Sequence, residues 1–232
     1  MSIYAIKLFE IEANLFNILL NYVSEERKNR ICRLKNNAYK NRMLISELLI
    51  RSIINEKLKL NNDKIIFCKN QFGKPFLKGY EDFYFNISHS GEWIICATDS
   101  KSIGIDIEKI RLINYVEVAK NYFTNRECRF IFEASSSERI RNFYRIWTLK
   151  ESYVKAEGGG LSIPLNSFSI DINKRRVNKA SSCYCKYFLK EVEIDCYYKM
   201  SVCSLNPRIS SEAMIISENN LVTTFVNQTI YC

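Results

Sequence analysis

The sequence predicts an α+β fold in two subdomains of similar size that meet near residues 99–108. Three observations carry this expectation. Ile103-Gly104-Ile105-Asp106-Ile107-Glu108 alternates strictly between isoleucine and non-isoleucine residues, the period of a strand with one core face. Two long stretches, 24–60 and 138–157, repeat apolar residues at helical spacing. Short β-rich runs bounded by turn residues fill the rest, so each half of the chain offers a strand, helices and a small strand set. The 232 residues are 47% hydrophobic, enough for a substantial core, and only 7 Gly and 3 Pro argue against a long flexible linker.

Taken in order, residues 3–9 read as the first strand and Asn14 to Asn21 as a short helix. Ser24 is placed to cap a longer helical run that reaches about Leu60, with a break near Asn36-Asn37. Within it, Leu44, Leu48, Leu49, Ile53 and Ile54 recur at helical spacing and face inward. Ile65 to Cys68 reads as a short strand and Gln71 to Phe76 as a loop shaped by Gly73 and Pro75. Phe83–Ser88 and Trp93–Thr98 form a hairpin around the turn His89 to Glu92, and Asp99 to Ser102 leads into the strand at 103–108. Helices are expected near Val116–Tyr122 and Asn125–Glu133, the second capped by Thr124. Ser137 caps a helix over 138–157 that stops at Gly158-Gly159-Gly160. Residues 166–172, 183–194 and 197–204 read as strands, and the tail from Asn206 carries no clear pattern.

No run of about 18 apolar residues is present, and the N-terminus lacks the regions of a signal peptide, so no membrane is expected. Nine cysteines, with no CxxC pair and a lone Cys183-Tyr184-Cys185, argue against a disulfide scaffold and a zinc site; a reduced, cytoplasmic setting is expected. The net charge of +9 implies an acidic partner, whether nucleic acid, a phosphate-bearing molecule or an acidic protein. The most basic stretch, Arg27 to Arg42, reads mainly as a solvated helical face, with one or two residues free to aim at a phosphate. An RNA-binding module using residues 24–42 would account for this charge, but no RNP-type or KH-type signature accompanies it.

Asp106 and Glu108 leave the same face of their strand, beside Gly104. Alone, such a pair reads more readily as the solvated outer face of a half-buried strand. Glu151 changes the balance. At 100° per residue, Ile140, Phe143, Tyr144, Trp147 and Val154 form one stripe, and Glu151 falls in its middle. A carboxylate on an apolar face needs a partner or a metal. One solution is an ion pair with Lys155, a turn further on. The other is that Asp106, Glu108 and Glu151 face one another across the two elements. Three carboxylates without Cys or His suit a hard cation such as Mg²⁺, which commonly binds a substrate phosphate as well. His89, the only histidine, sits between Ser88 and Ser90 and reads either as a surface turn residue or as a phosphate contact.

Five motifs in order give these residues a context: Gly73-Lys74-Pro75; Phe85-Asn86-Ile87-Ser88-His89-Ser90; Gly104-Ile105-Asp106-Ile107-Glu108; Trp147-Thr148-Leu149-Lys150-Glu151-Ser152-Tyr153-Val154-Lys155; and Glu157-Gly158-Gly159-Gly160-Leu161-Ser162. In these the chain resembles the Sfp-type 4′-phosphopantetheinyl transferases over residues 24 to 204 at least. The resemblance implies a two-lobed, pseudo-twofold α+β fold, each subdomain a small antiparallel sheet packed with helices, divided as 1–101 and 102–232. It implies transfer of phosphopantetheine from coenzyme A to a serine of an apo acyl or peptidyl carrier protein, releasing adenosine 3′,5′-bisphosphate. Asp106, Glu108 and Glu151 would hold Mg²⁺, and Glu151 would also receive the serine proton. Lys155, with Lys150, would neutralise the leaving pyrophosphate. Ser88 and His89 would bind the 3′-phosphate near Arg27, Arg30 and Arg42, and Lys74 and Pro75 would line the nucleotide pocket. The implied partner is an acidic carrier protein, with no nucleic acid, and the implied state is a monomer.

Overall fold

β1 (Ser2–Lys7) starts the first lobe, with Ile3, Tyr4, Ala5 and Ile6 all buried. The computed structural model describes residues 1–179 and 186–226. Three helices follow: α1 (Ala13–Leu19), α2 (Glu25–Arg33) and α3 (Asn37–Leu58). The break expected in the helical run lies between α2 and α3, and a cap marks each start. Ser24 Oγ accepts from the Arg27 amide at 3.3 Å, and Asn36 Oδ1 from the Tyr39 amide at 3.2 Å. The inward face of α3 is as expected, with Leu44, Leu48, Leu49, Ile53 and Ile54 no more than 2% exposed.

β2 (Phe67–Lys69) pairs with β3 (Pro75–Leu77), so residues 75–76, expected in a loop, belong to a small hairpin. β4 (Tyr84–Ser90) and β5 (Trp93–Asp99) form the expected hairpin, with β4 ending two residues later than expected and the turn confined to Gly91 and Glu92. Every residue of β5 is buried. Ile94 and Cys96 join the core beneath α3, while Trp93, Ile95 and Ala97 join a second core shared with the next lobe.

β6 (Ile103–Lys109) opens the second lobe. α4 (Tyr115–Tyr122), α5 (Asn125–Phe132) and the 22-residue α6 (Ser136–Glu157) follow. Thr124 caps α5 in a capping box with Glu127, and Ser135 rather than Ser137 precedes α6. Then come β7 (Phe168–Asp171), β8 (Arg176–Lys179), β9 (Phe188–Glu191) and β10 (Tyr198–Ser204), in the antiparallel order β6-β10-β9-β8-β7. β8 was not expected. The strand expected over 183–194 is confined to 188–191 where it can be followed; its first residues, with Cys183 and Cys185, lie outside the described residues, as does Cys232. No disulfide joins any two of the six described cysteines.

The chain then returns to the first lobe. β11 (Met214–Ile215) pairs parallel with β1, and α7 (Glu218–Val226) places Leu221 and Phe225 in the core beneath α3. The first sheet, in the order β11-β1-β5-β4, is therefore antiparallel except at this edge. The two-lobed α+β architecture is as expected, but residues 214–226 sit with the first lobe and cross the expected division at 101/102. Among the described residues, no helix is long and apolar enough to cross a membrane.

Candidate active site

Gly104 sets the distance between β6 and α6. A Cβ built there would lie 2.1 Å from the Ser152 carbonyl oxygen and 2.4 Å from the Ala156 nitrogen. Only a residue without a side chain lets the helix rest on the strand here. The other face of β6 holds Ile103, Ile105 and Ile107, all at 0% exposure in the shared core. The face that might have been solvated is instead roofed by α6, which brings Glu151 and Lys155 over Asp106 and Glu108.

Lys155 Nζ lies 2.6 Å from Asp106 Oδ1 and donates to Ser88 Oγ at 3.0 Å. The ion pair weighed from sequence between Glu151 and Lys155 is not made among the described residues; Lys155 pairs with Asp106 instead. Ser88 in turn donates to Asp106 Oδ1 at 2.9 Å, and Ser90 donates to Glu108 Oε2 at 2.7 Å. The second oxygen of Asp106, Oδ2, is buried without a hydrogen bond. Glu151 makes no hydrogen bond or ion pair among the described residues.

All three carboxyls are held above their ordinary range. Burial is the first cause for each. The charge on Asp106 adds to it for Glu108 and Glu151, while Lys155 pulls the other way on all three. The three carboxyls therefore lie close enough to feel one another's charge, with Lys155 the cation that offsets it. Among the described residues, no three such side chains converge as a closed metal cage. The all-oxygen donor set and the orphaned Asp106 Oδ2 nonetheless suit a hard divalent cation.

Two cavities flank the cluster. One, of about 680 Å³, is lined by Lys74, Pro75, Trp147, Glu151, Val154 and Lys155. The other, of about 530 Å³, is more polar and includes Arg42, His89, Glu108, Lys109, Arg111 and Tyr144. Lys74 Nζ donates to the Ile103 and Ala156 carbonyls at 3.0 and 3.2 Å, fastening the hairpin loop to β6 and α6. Burial lowers its pKa to about 8. The exposed ring of His89 faces the polar cavity; desolvation first, then the neighbouring Arg42, lowers its pKa.

Four residues expected at the ligand, Ser88, Lys150, Arg27 and Arg30, line neither cavity. Ser88 alternates with His89 on β4, so its hydroxyl turns into the boundary between the lobes and is engaged by Asp106 and Lys155 rather than facing the polar cavity. Lys150 is wholly buried. It ion-pairs with Glu127 at 2.9 Å and donates to the Leu165 and Phe168 carbonyls at 2.8 and 2.7 Å. One residue along a helix is a rotation of about 100°, which points it away from Glu151. Arg27 and Arg30 do not line either cavity; Arg27 Nε holds Glu47 at 3.0 Å, and Arg30 is exposed on α2. Arg42 does reach the polar cavity, donating to the Gly91 carbonyl at 2.9 Å.

Asn86 and Ser90, expected only as members of the motif around His89, serve the boundary with β6 instead. Their side chains accept from the Ile105 and Lys109 amides of β6 at 2.8 and 3.0 Å, with Ser88 accepting from Ile107 between them at 3.4 Å. The alternating polar residues Asn86, Ser88 and Ser90 were the signal for this ladder.

Proteins similar to this chain point to one family. A family model described as the 4′-phosphopantetheinyl transferase superfamily matches residues 102–203. Another, described as 4′-phosphopantetheinyl transferase, N-terminal, matches residues 10–101. 4′-Phosphopantetheinyl transferase Sfp of Bacillus subtilis (strain 168) is 35% identical over 209 residues, covering 88% of this chain and 91% of its own. 4′-Phosphopantetheinyl transferase ffp of Bacillus subtilis is 36% identical, covering 88% and 92%. 4′-Phosphopantetheinyl transferase gsp of Aneurinibacillus migulanus is 38% identical, covering 84% and 82%.

Proposed function

This chain belongs to the 4′-phosphopantetheinyl transferases, a family of enzymes, and on that premise we propose that it moves phosphopantetheine from coenzyme A to a serine of an apo acyl or peptidyl carrier protein. Adenosine 3′,5′-bisphosphate is the other product. The observation that carries the reading is the cluster of Asp106, Glu108 and Glu151 with Lys155, held between the lobes and opening onto two cavities.

In this reaction the carrier's serine oxygen attacks the coenzyme A phosphorus that bears pantetheine. A new P–O bond forms, the bridging P–O bond breaks, and the nucleotide leaves with the electron pair. The attacking group belongs to the carrier, so this chain need supply no nucleophile. Glu151 takes the serine proton, directly or through a water. Burial and its anionic neighbours raise its pKa in the metal-free protein, and a bound cation would pull it down again. Lys155, partly exposed beside Asp106, offers positive charge to the leaving phosphate. His89 and Arg42 in the polar cavity suit the 3′-phosphate, and Lys74 and Pro75 suit the nucleotide. Asp106, Glu108 and Glu151 are the residues that would hold Mg²⁺, which neutralises pyrophosphate charge when bound. The +9 net charge favours an acidic carrier surface.

The test is to incubate the protein with coenzyme A, Mg²⁺ and a panel of apo carriers, and to weigh the carriers. A gain of one phosphopantetheine is expected with the wild type and with neither Asp106→Ala nor Glu151→Gln. No gain across the panel would overturn the reading; full activity in either variant would overturn that residue's role.

A further inference from the structure

We infer that Ser90 is a positioning residue, reaching across the boundary between the lobes to orient Glu108 for a divalent cation; the inference rests on the metal reading above. β4 and β6 are edge strands of different sheets, and no backbone ladder joins them. Three β6 amides, those of Ile105, Ile107 and Lys109, are met instead by every second side chain of β4. This satisfies edge N–H groups that would otherwise be costly to bury.

The rungs are not equivalent. The Asn86 side-chain oxygen Oδ1 accepts from Ile105, and among the described residues Asn86 makes no hydrogen bond to a carboxylate. A serine hydroxyl accepts and also has a proton to give. Ser88 gives its proton to Asp106, which Lys155 holds as well. Ser90 gives its proton to Glu108 Oε2, and among the described residues this is the one hydrogen bond that carboxylate makes. Ser90 therefore fixes how Glu108 is turned, leaving its other oxygen free. Hydrogen bonds from a neighbouring residue orient metal-binding carboxylates in this manner, and losing one commonly weakens metal binding.

The test uses Mn²⁺ alone as the probe, bound to the full chain and followed by the paramagnetic resonance of the free ion. Ser90→Ala should weaken Mn²⁺ binding by about tenfold or more. Ser90→Thr, which keeps the hydroxyl, should restore it. Asn86→Ala removes a rung without touching a carboxylate and should lower the melting temperature with no loss of Mn²⁺ affinity. In a Glu108→Gln background, Ser90→Ala should have no further effect. Should Ser90→Ala fail to fold, Ser90→Cys, a weaker donor, carries the same comparison. Wild-type Mn²⁺ affinity in Ser90→Ala, or an equal loss in Asn86→Ala, overturns the inference while leaving carrier modification intact. A wild type that neither binds Mn²⁺ nor modifies any carrier overturns the inference together with the reading beneath it.

Discussion

Glu151 stands where an apolar side chain would stabilise the fold better. Burial and the charges of Asp106 and Glu108 raise its pKa, so folding favours its protonated form. A carboxyl with a raised pKa contributes its full stability below its unfolded value and loses it as pH climbs through the folded value. At neutral pH without a divalent cation, the ionised group therefore weakens the fold. Glu151→Gln should raise the metal-free stability at pH 7 by up to about 1 kcal/mol, or roughly 2–4 °C for a chain of this size, while abolishing transfer. Near pH 4.5, the ordinary value for this group, the gain should shrink. Thermal melts at the two pH values check this, and a lower melting point for the variant at pH 7 would contradict it. The sequence exposed Glu151 because one charge on an apolar stripe violates a local rule. Ser90 broke no such rule: its partner lies 18 residues away on another sheet, so its part in the site depends on tertiary contact alone.

α6 separates two tasks on two faces, and adjacent residues divide between them. Glu151 borders a cavity, while Lys150 joins Glu127, the residue that completes the cap of α5, to the carbonyls of Leu165 and of Phe168 at the start of β7. Removing one partner of a buried pair leaves the other charge stranded, so Lys150→Met should cost about 3 kcal/mol or more. Whatever folded protein remains should keep its KM for coenzyme A; denaturant titration and initial rates test the two halves of that statement, and a selective rise in KM would return Lys150 to the ligand site. The reverse experiment is Gly104→Ala. Its Cβ meets backbone rather than a movable side chain, so α6 must lift from β6. A cost of about 3 kcal/mol is expected, with loss of carrier modification even below the melting point, because Glu151 and Lys155 move with the helix. Wild-type melting and rates would show that the helix accommodates the methyl. Elements such as α3, β6 and α6 were legible because their apolar periods are long or strict. β3, β8 and β11, of two to four residues, are too short to show a period, and their pairing partners define them.

At the scale of the molecule, the lobes share a core rather than touching at a surface. Ile3, Ala5, Trp93, Ile95 and Ala97 from the first lobe pack with Ile103, Ile105, Ile107, Met200 and Val202 from the second. β5, buried along its whole length, lends its other face to the core beneath α3. The C-terminal return reaches that same core through Leu221 and Phe225, a placement no local pattern in the tail announced. Packing continuous through β5 should make unfolding one transition. Phe225→Ala, 2% exposed and remote from both cavities, tests this. The cavity it leaves should cost about 3–5 kcal/mol. Because β5 belongs both to this core and to the shared one, the loss should shift the whole transition, including the fluorescence of Trp93 in the shared core and of Trp147 in a further cluster of the second lobe. Circular dichroism and tryptophan fluorescence should give the same midpoint in the wild type and in the variant. If Phe225→Ala instead splits the curve, with the Trp147 region melting later, the lobes are separate folding units and the shared core couples them only weakly.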